Sequence, residues 1–431
     1  MTRKADVVVI GAGVSGVAVA YHLAVRHGVG KVVVVDPRPP LTLTSDKSTE
    51  AYRNWWPSRP MTALMSRSID LLEEMSDESG GAFGLSRRGY LFVTSDRSTL
   101  QGMREQAALT SDFGGGAVRE HPGPESYGSA EDGVDILDPG LLRERFPFVI
   151  EKAVGAVHVR RAGWFSAQTF GAWMLDRARD CGAELIASEA TGIDGRRVTL
   201  DDGSTIEAEA VVVAAGPMSK DVAEMAGVDL PVHTELHLKV AFRDRLGAIP
   251  RDAPMMIWSD PQHIDWSGPE RAELERIGRS DATGLLPAFC HMRPEGGADS
   301  SWLVALWEYR RQVMEPTWPL PADYLYPEVV IRGLAAMAPG LAAYLDGLPE
   351  ISMDGGYYTK TRRNRPLIGP SGAPGIHLTT AMSGFGVMAA AGAGDLTARH
   401  ITGSPLPDYA ADFLLSRCDD PAAEVEGSGQ L

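Results

Sequence analysis

Val7-Val8-Val9-Ile10-Gly11-Ala12-Gly13-Val14-Ser15-Gly16 lies at the start of the chain and decides how the rest is read. Four β-branched residues in a row predict a strand buried on both faces. The glycines that follow let the backbone turn tightly and approach a pyrophosphate at the N-terminus of the next helix. A second apolar strand, Val32 to Val35, runs into Asp36, twenty residues beyond Gly16. An acid there accepts hydrogen bonds from an adenosine ribose and repels a ribose phosphate. Strand, turn, helix, strand and acid in this order predict a doubly wound α/β domain that binds an adenine dinucleotide. Its expected contacts here are Gly11, Gly13, Val14, Ser15, Gly16, Asp36 and Pro37.

A length of 431 residues suits two domains, or one large one with an elaborate insertion, and a hydrophobic share of 44% is enough for a sizeable core. The net charge of -16 argues against nucleic acid or an anionic membrane as partner, because both select a concentrated positive field. Cys181, Cys290 and Cys418 are too few and too scattered for a disulfide framework or a thiolate metal site. No metal is therefore expected. With no secretory pattern ahead of the first strand and no apolar stretch of membrane-spanning length, a cytoplasmic location is expected.

Further along, Met61 to Met75 has helical periodicity, and Gly89 to Val93 reads as a strand followed by loops and one short helix up to Gly133. A second block of the nucleotide domain begins near Gly163. It comprises a helix from Ala167 to Cys181, a strand Ala183 to Ile186, a hairpin around Asp201-Asp202-Gly203, and a buried strand Ala210 to Ala215 before Gly216. Pro231 to Trp307 is strand-like with a charged helical insertion, Pro269 to Arg279. The chain then returns to its opening pattern: a strand Gly375 to Thr380, the turn Ser383-Gly384-Phe385-Gly386, and a small-residue helix Val387 to Thr402. Such a helix N-terminus suits a group on which negative charge develops. The expected division is a discontinuous nucleotide domain (1–88, 150–226, 348–410), an antiparallel-sheet substrate domain (89–149, 227–347) and a tail (411–431).

These motifs in this order resemble the D-amino-acid oxidase and sarcosine oxidase superfamily of FAD enzymes. The resemblance rests on the opening glycines with Asp36, the strand ending Ala214-Ala215-Gly216, the block Tyr358-Thr359-Lys360-Thr361 through Arg365-Pro366-Leu367-Ile368-Gly369-Pro370, and the Ser383 to Gly386 turn. It implies an FAD-binding Rossmann-like domain covered by an antiparallel sheet, and oxidation of a carbon–nitrogen bond in an amino acid or amine. It also implies that the loop after the second strand passes the flavin, which adds Ser45, Lys47, Ser48 and Thr49 to the cofactor contacts. Ala215, Gly216, Arg363, Gly384, Phe385, Gly386, Val387 and Met388 complete that set.

Departures from the family pattern are specific. Gly356 stands where sarcosine-oxidase-like members carry the cysteine that attaches FAD, so attachment there is excluded and FAD is expected to be held non-covalently. Met388 replaces a basic residue that helps hold the substrate carboxylate. Apolar Val304 aligns with the lysine that promotes reaction with dioxygen, leaving Lys47, Lys239 or Lys360 as substitutes, or a different electron acceptor. An acidic position has become Arg363, which with Lys360 and Arg365 forms a basic cluster suited to a second carboxylate or to surface ion pairing.

The resemblance also implies candidates for the chemistry. Thr49 and Arg53 reproduce a spacing in which the arginine binds a substrate carboxylate, and Trp55 and Trp56 either wall that site or pack between domains. On an alternating strand, His291 and Arg293 share a face, and the imidazole of His291 is a candidate acceptor for a substrate ammonium proton. Tyr309, Tyr357 and Tyr358 are candidate lining, with Tyr358 and Lys47 joining Arg53, His291 and Arg293 as the catalytic set. The expected partner is a small-molecule amino acid or amine, with homo-oligomer formation open. Two other readings stand beside this one: an NAD(P)H-dependent flavin monooxygenase, and a flavin-binding subunit of a hetero-oligomeric dehydrogenase.

Overall fold

The structure, a computed structural model, describes residues 2–121 and 123–418. Val7–Ile10 lies inside a six-stranded sheet of order Glu184–Ala187, Val32–Asp36, Val7–Ile10, Ala210–Val213, Ile376–Thr380, Leu367–Pro370. The first five strands are parallel and the last antiparallel. Because side chains alternate along a strand, each valine run serves both faces. Val7, Val9, Val32 and Val34 pack against Val19, Leu23 and Ala178 on the helical side. Val8, Ile10, Val33 and Val35 pack against Ile193, Val198, Leu200 and Ile206 of a four-stranded sheet, which contains the expected hairpin.

The small residues of the helix Gly386–Thr402 have a packing reason. A Cβ on Gly394 would come within 2.7 Å of the Ala18 backbone, and one on Gly392 within 3.0 Å of the Leu64 carbonyl oxygen. The helix is thus wedged between Val14–Tyr21 and Arg59–Glu78, with its N-terminus at the carboxyl edge of the parallel strands.

A ten-stranded sheet covers that edge. Its spine is Val232–Arg243, paired with Ile351–Thr361 on one side and Trp302–Leu306 on the other, and it continues through Cys290–Glu295, Met255–Trp258, Tyr90–Thr94 and Gly155–Val159. Along the spine, Leu236, Leu238, Val240 and Phe242 enter the main core with the helix Tyr326–Ala335. The alternate residues Glu235, His237 and Lys239 therefore fall on the opposite face.

Several expectations are corrected. Gly155–Val159 and Ile351–Thr361, expected in the nucleotide domain, pair into the large sheet, since strand partnership depends on residues remote in sequence. Arg97–Asp112 is a sixteen-residue helix rather than loops with a short one. Its buried stripe is only Met103, Ala107 and Thr110, too thin to stand out as a period, and Asp96 caps it by accepting from the Thr99 N–H. Within the expected tail, 411–418 is packed, with Phe413 fully buried beside Ala410; residues 419–431 lie outside the described residues.

Candidate active site

Gly11 has φ 111, and a Cβ there would meet the Ala214 carbonyl oxygen at 2.4 Å; at Gly16 it would lie 1.9 Å from the Gly11 carbonyl oxygen. Glycine is therefore required for the turn at one position and for strand–helix closeness at the other. Asp36 fastens this cradle, accepting from the Ala12 N–H at 2.8 Å through one oxygen and from the Arg38 N–H at 2.8 Å through the other. Ser45 reaches in from the following loop, its hydroxyl accepting from the Val14 N–H at 2.9 Å.

The cradle opens into a cleft of about 1390 Å³, mouth included, lined by Gly11, Gly13, Val14, Ser15, Asp36, Pro37, Ser45, Ser48, Ala215, Gly216, Gly384, Gly386 and Val387. A smaller cavity of about 500 Å³, lined by Thr49, Arg53, Trp56, Tyr90, His291, Glu308, Phe385 and Met388, adjoins it. Ser48, Tyr358, Gly384 and Val387 line both. Gly384 is needed at that junction, because a Cβ would come within 2.5 Å of the Tyr358 ring.

Sequence reasoning thus brings together most of its cofactor set, and the structure separates the remainder. Gly16 supports the cradle from behind. Lys47 is ion-paired with Asp46 at 2.5 Å and Asp354 at 2.9 Å and lines neither cavity. Arg363 also lines neither, sitting in the turn after Ile351–Thr361, with Lys360 and Arg365 directed elsewhere. Lys360 is buried against Glu235 at 2.6 Å, and Arg365 approaches Asp412 at 4.0 Å. The three basic residues do not converge on either cavity, because alternation along the strand and the turn beyond it send them to different partners.

Arg53 is 5% exposed, with its guanidinium over the rings of Trp56 at 4.6 Å and Tyr90 at 5.6 Å and its Nε donating to the Trp55 carbonyl oxygen at 3.3 Å. Burial lowers its basicity and pushes the Tyr90 phenol up to about 12. Trp56 thereby walls the cavity, whereas Trp55 packs on Phe92. His291 is held down to about 4 by burial. Its Nδ1 lies 2.8 Å from the Phe289 carbonyl oxygen, which can only accept, so Nδ1 carries the proton and Nε2 is the unprotonated nitrogen.

Arg293 shares the strand of His291 but does not line the cavity. Its Nε donates to the Thr49 carbonyl oxygen at 2.7 Å, and its guanidinium pairs with Glu50 at 3.1 Å and Glu295 at 2.6 Å. It is a clamp on the loop rather than a group facing a ligand. Lys239 donates to the Ser48 carbonyl oxygen at 3.2 Å, and burial lowers its pKa. Tyr357 and Tyr309 also lie outside the smaller cavity: the Tyr357 hydroxyl contacts Thr317, and that of Tyr309 accepts from Arg279 at 2.9 Å.

Two features escaped the sequence reading. Thr359 and Thr380 line the cleft with buried hydroxyls that have no hydrogen-bond partner among the described residues. Glu308 lines the smaller cavity and is held by His237, Nδ1 to Oε1 at 2.9 Å. A single acid within Leu303-Val304-Ala305-Leu306-Trp307-Glu308-Tyr309 was the available signal for the latter.

A long cleft with a glycine cradle, an acid at its ribose end, two orphaned hydroxyls and a helix N-terminus fits FAD. Gly11 to Ser15, Asp36, Ser45 and Gly384 to Val387 would hold it. Among the described residues, no group of His, Cys, Asp and Glu is arranged to hold a metal ion, and no helix is long and apolar enough to cross a membrane.

A family model described as FAD dependent oxidoreductase (DAO) matches residues 6–400. The sarcosine oxidase subunit beta of Arthrobacter sp. is 29% identical over 239 residues, covering 54% of this chain and 56% of that protein. Human mitochondrial dimethylglycine dehydrogenase is 23% identical over 262 residues, or 59% and 28%. The chain spans about half or less of the length of these curated relatives. Among solved structures, L-proline dehydrogenase from P. horikoshii superimposes with a TM-score of 0.76 at 20% identity over 97% of this chain and 98% of that one. Glycine oxidase from Geobacillus kaustophilus gives 0.75 at 17% identity over 96% and 99%.

Proposed function

The chain belongs to the DAO family of FAD-dependent oxidoreductases, and from that membership we propose that it oxidises the carbon–nitrogen bond of a small amino acid. The observation that carries this reading is the junction of the two cavities. Ser48, Tyr358, Gly384 and Val387 line both, so a flavin ring reaching the end of the large cleft would face a cavity containing buried Arg53. A guanidinium under aromatic rings, with its charge unscreened by water, suits a carboxylate through a bidentate fork.

FAD supplies the acceptor for a hydride leaving the carbon that bears nitrogen. The chain's own residues orient and desolvate. Arg53 holds the carboxylate, Trp56 and Tyr358 exclude water from the reacting carbon, and neutral His291 offers Nε2 as a hydrogen-bond acceptor. The cofactor is held without a thioether at position 356, where glycine lies against Thr44; a Cβ there would come within 3.1 Å of the Thr44 Cα. We place the protein in the cytoplasm, in keeping with three cysteines too few and too scattered for a disulfide framework. The subunit-beta relative motivates a second possibility, assembly with other chains, which the mass of the purified native complex tests.

The deciding experiment is an anaerobic absorbance titration of the yellow protein with glycine, sarcosine, proline and a panel of D- and L-amino acids. Bleaching by one class is the expected result, and admission of air then separates oxidase from dehydrogenase. Bleaching by NADPH, with none by any amino acid, overturns the reading in favour of a monooxygenase.

A further inference from the structure

Behind the smaller cavity lies a row of buried ionisable groups that the steps above do not use. Glu308 Oε1 is 2.9 Å from His237 Nδ1, His237 Nε2 is 3.3 Å from Glu235 Oε2, and that oxygen is 2.6 Å from Lys360 Nζ. Glu235, His237 and Lys360 are 5%, 6% and 5% exposed. A buried ionic row of this length carries a large desolvation penalty and is weak evidence for stability. Its geometry is more informative. One end is a carboxylate in the wall shared with Arg53, and the imidazole is stacked on the Tyr358 ring, with centroids 3.9 Å apart and planes at 14°.

We propose that Glu308 and His237 act as one proton acceptor for the substrate ammonium, with the Glu235–Lys360 pair positioning the imidazole. The proposal rests on the amino acid reading above. An amino acid arrives with its nitrogen as an ammonium, which cannot support hydride loss from the neighbouring carbon until nitrogen has a lone pair. One N–H bond breaks, an O–H bond forms on Glu308, and the proton passes to His237 Nδ1, restoring the carboxylate and giving an imidazolium. The neutral amine is the form from which hydride, with its electron pair, would leave the carbon bearing nitrogen, FAD being the acceptor that the cleft would hold, and the product would be the iminium cation. One proton and one hydride leave, and charge balances.

The groups facing the pair explain why it outcompetes His291. From its own strand come Glu235 and His233; from the paired strand, Tyr358 and Lys360; from the neighbouring strand, His291. Arg310, Asp323 and Tyr326 line a small cavity on the far side, which Glu308 and His237 also line. Despite burial, Glu308 and Glu235 raise the pKa of His237 above the ordinary histidine value, and Lys360 moderates the effect. His291 is driven the other way, to about 4, and is the poorer base. Glu308 also lies in one wall with Arg53, so a zwitterion meets both charges at once, carboxylate to guanidinium and ammonium to carboxylate.

The test is the pH dependence of anaerobic flavin reduction at saturating proline or sarcosine, whichever bleaches the wild-type protein. The wild-type rate rises about tenfold per pH unit below an apparent pKa above about 6.5, and then levels. Glu308→Gln removes the rising limb and lowers the plateau about a hundredfold, in protein with full flavin content. Glu235→Gln moves the limb to lower pH, because it removes a charge that raises His237. His291→Asn leaves the limb in place. A nitrogen-15 NMR titration of the imidazoles gives a readout independent of turnover, in which the His237 titration falls to lower pH in Glu308→Gln. A wild-type limb retained in Glu308→Gln, or a His237 titration that does not move, overturns the proposal alone. Absence of bleaching by every amino acid in the wild-type protein overturns the functional reading and this proposal with it.

Discussion

Arg53 shows how a single side chain acquires a function from its surroundings. On a surface its charge would be worth little to a ligand, but at 5% exposure, between Trp56 and Tyr90, it is held where water cannot compete. Truncating one partner of a buried charge pair costs roughly 2–5 kcal/mol. Arg53→Met is therefore expected to raise the KM for the amino acid roughly 30- to 4000-fold, read from steady-state kinetics, with flavin content intact. Loss of flavin without a KM effect would assign Arg53 to the cofactor instead. Asp36 acts at the other end of the cleft through two backbone N–H groups at 2.8 Å. With charged hydrogen bonds worth about 1.5–3 kcal/mol each, and the equivalent of one of the two transmitted to the cofactor, Asp36→Ala is expected to weaken FAD binding by roughly one to two powers of ten, measured by flavin release on dilution.

At the level of elements, the opening turn depends on space as much as on conformation. Gly16→Ala would place a methyl 1.9 Å from the Gly11 carbonyl oxygen, so the helix Val14–Tyr21 must move off its strand. The expected product is folded, colourless protein that regains little absorbance at the flavin maximum when FAD is added. The loop carrying Thr49 and Arg53 is held by Arg293, whose partners Glu50 and Glu295 approach it at 3.1 and 2.6 Å. Arg293→Met would leave Glu50 in a largely buried site without its cation, at a cost of about 3–5 kcal/mol. A fall in Tm accompanied by a raised KM is expected, whereas an unchanged Tm would show that the clamp contributes nothing to the loop.

For the whole molecule, buried neutral histidines set the response to acid. Burial holds His22 and His158 down to about 3, and His291 to about 4. An unfolded imidazole binds its proton near pH ~6.5, so below that pH the unfolded chain takes up protons that the folded one refuses. The stability from these groups is complete above pH ~6.5 and declines as pH falls toward the folded values, by up to about 1.4 kcal/mol per pH unit for each imidazole. His237, raised rather than lowered, has the opposite sign and favours the fold below pH ~6.5. The three outweigh the one, so the urea midpoint is expected to be lower at about pH 5 than at about pH 7.5. Equal midpoints would contradict the burial of neutral rings.

The valine runs, the glycine turn and Asp36 determined the doubly wound sheet by themselves, because strand burial, the required positive φ at Gly11 and the acid after the second strand are all local properties. Thr49 and Arg53 were singled out only by the family resemblance, as a spacing its members share, and the structure puts both in the lining of the smaller cavity. Tertiary structure alone decided what depends on distant pairing. Gly155–Val159 joins the covering sheet because Tyr90–Thr94 and Val134–Leu137 flank it. Lys360, read as part of a basic cluster, is turned inward to Glu235 by its register with His233 on the adjacent strand. Glu308 and His237 are seventy-one residues apart and reveal nothing separately. Their 2.9 Å contact exists because two strands separated by a long excursion of chain fold against the same cavity, and no local pattern encodes that separation.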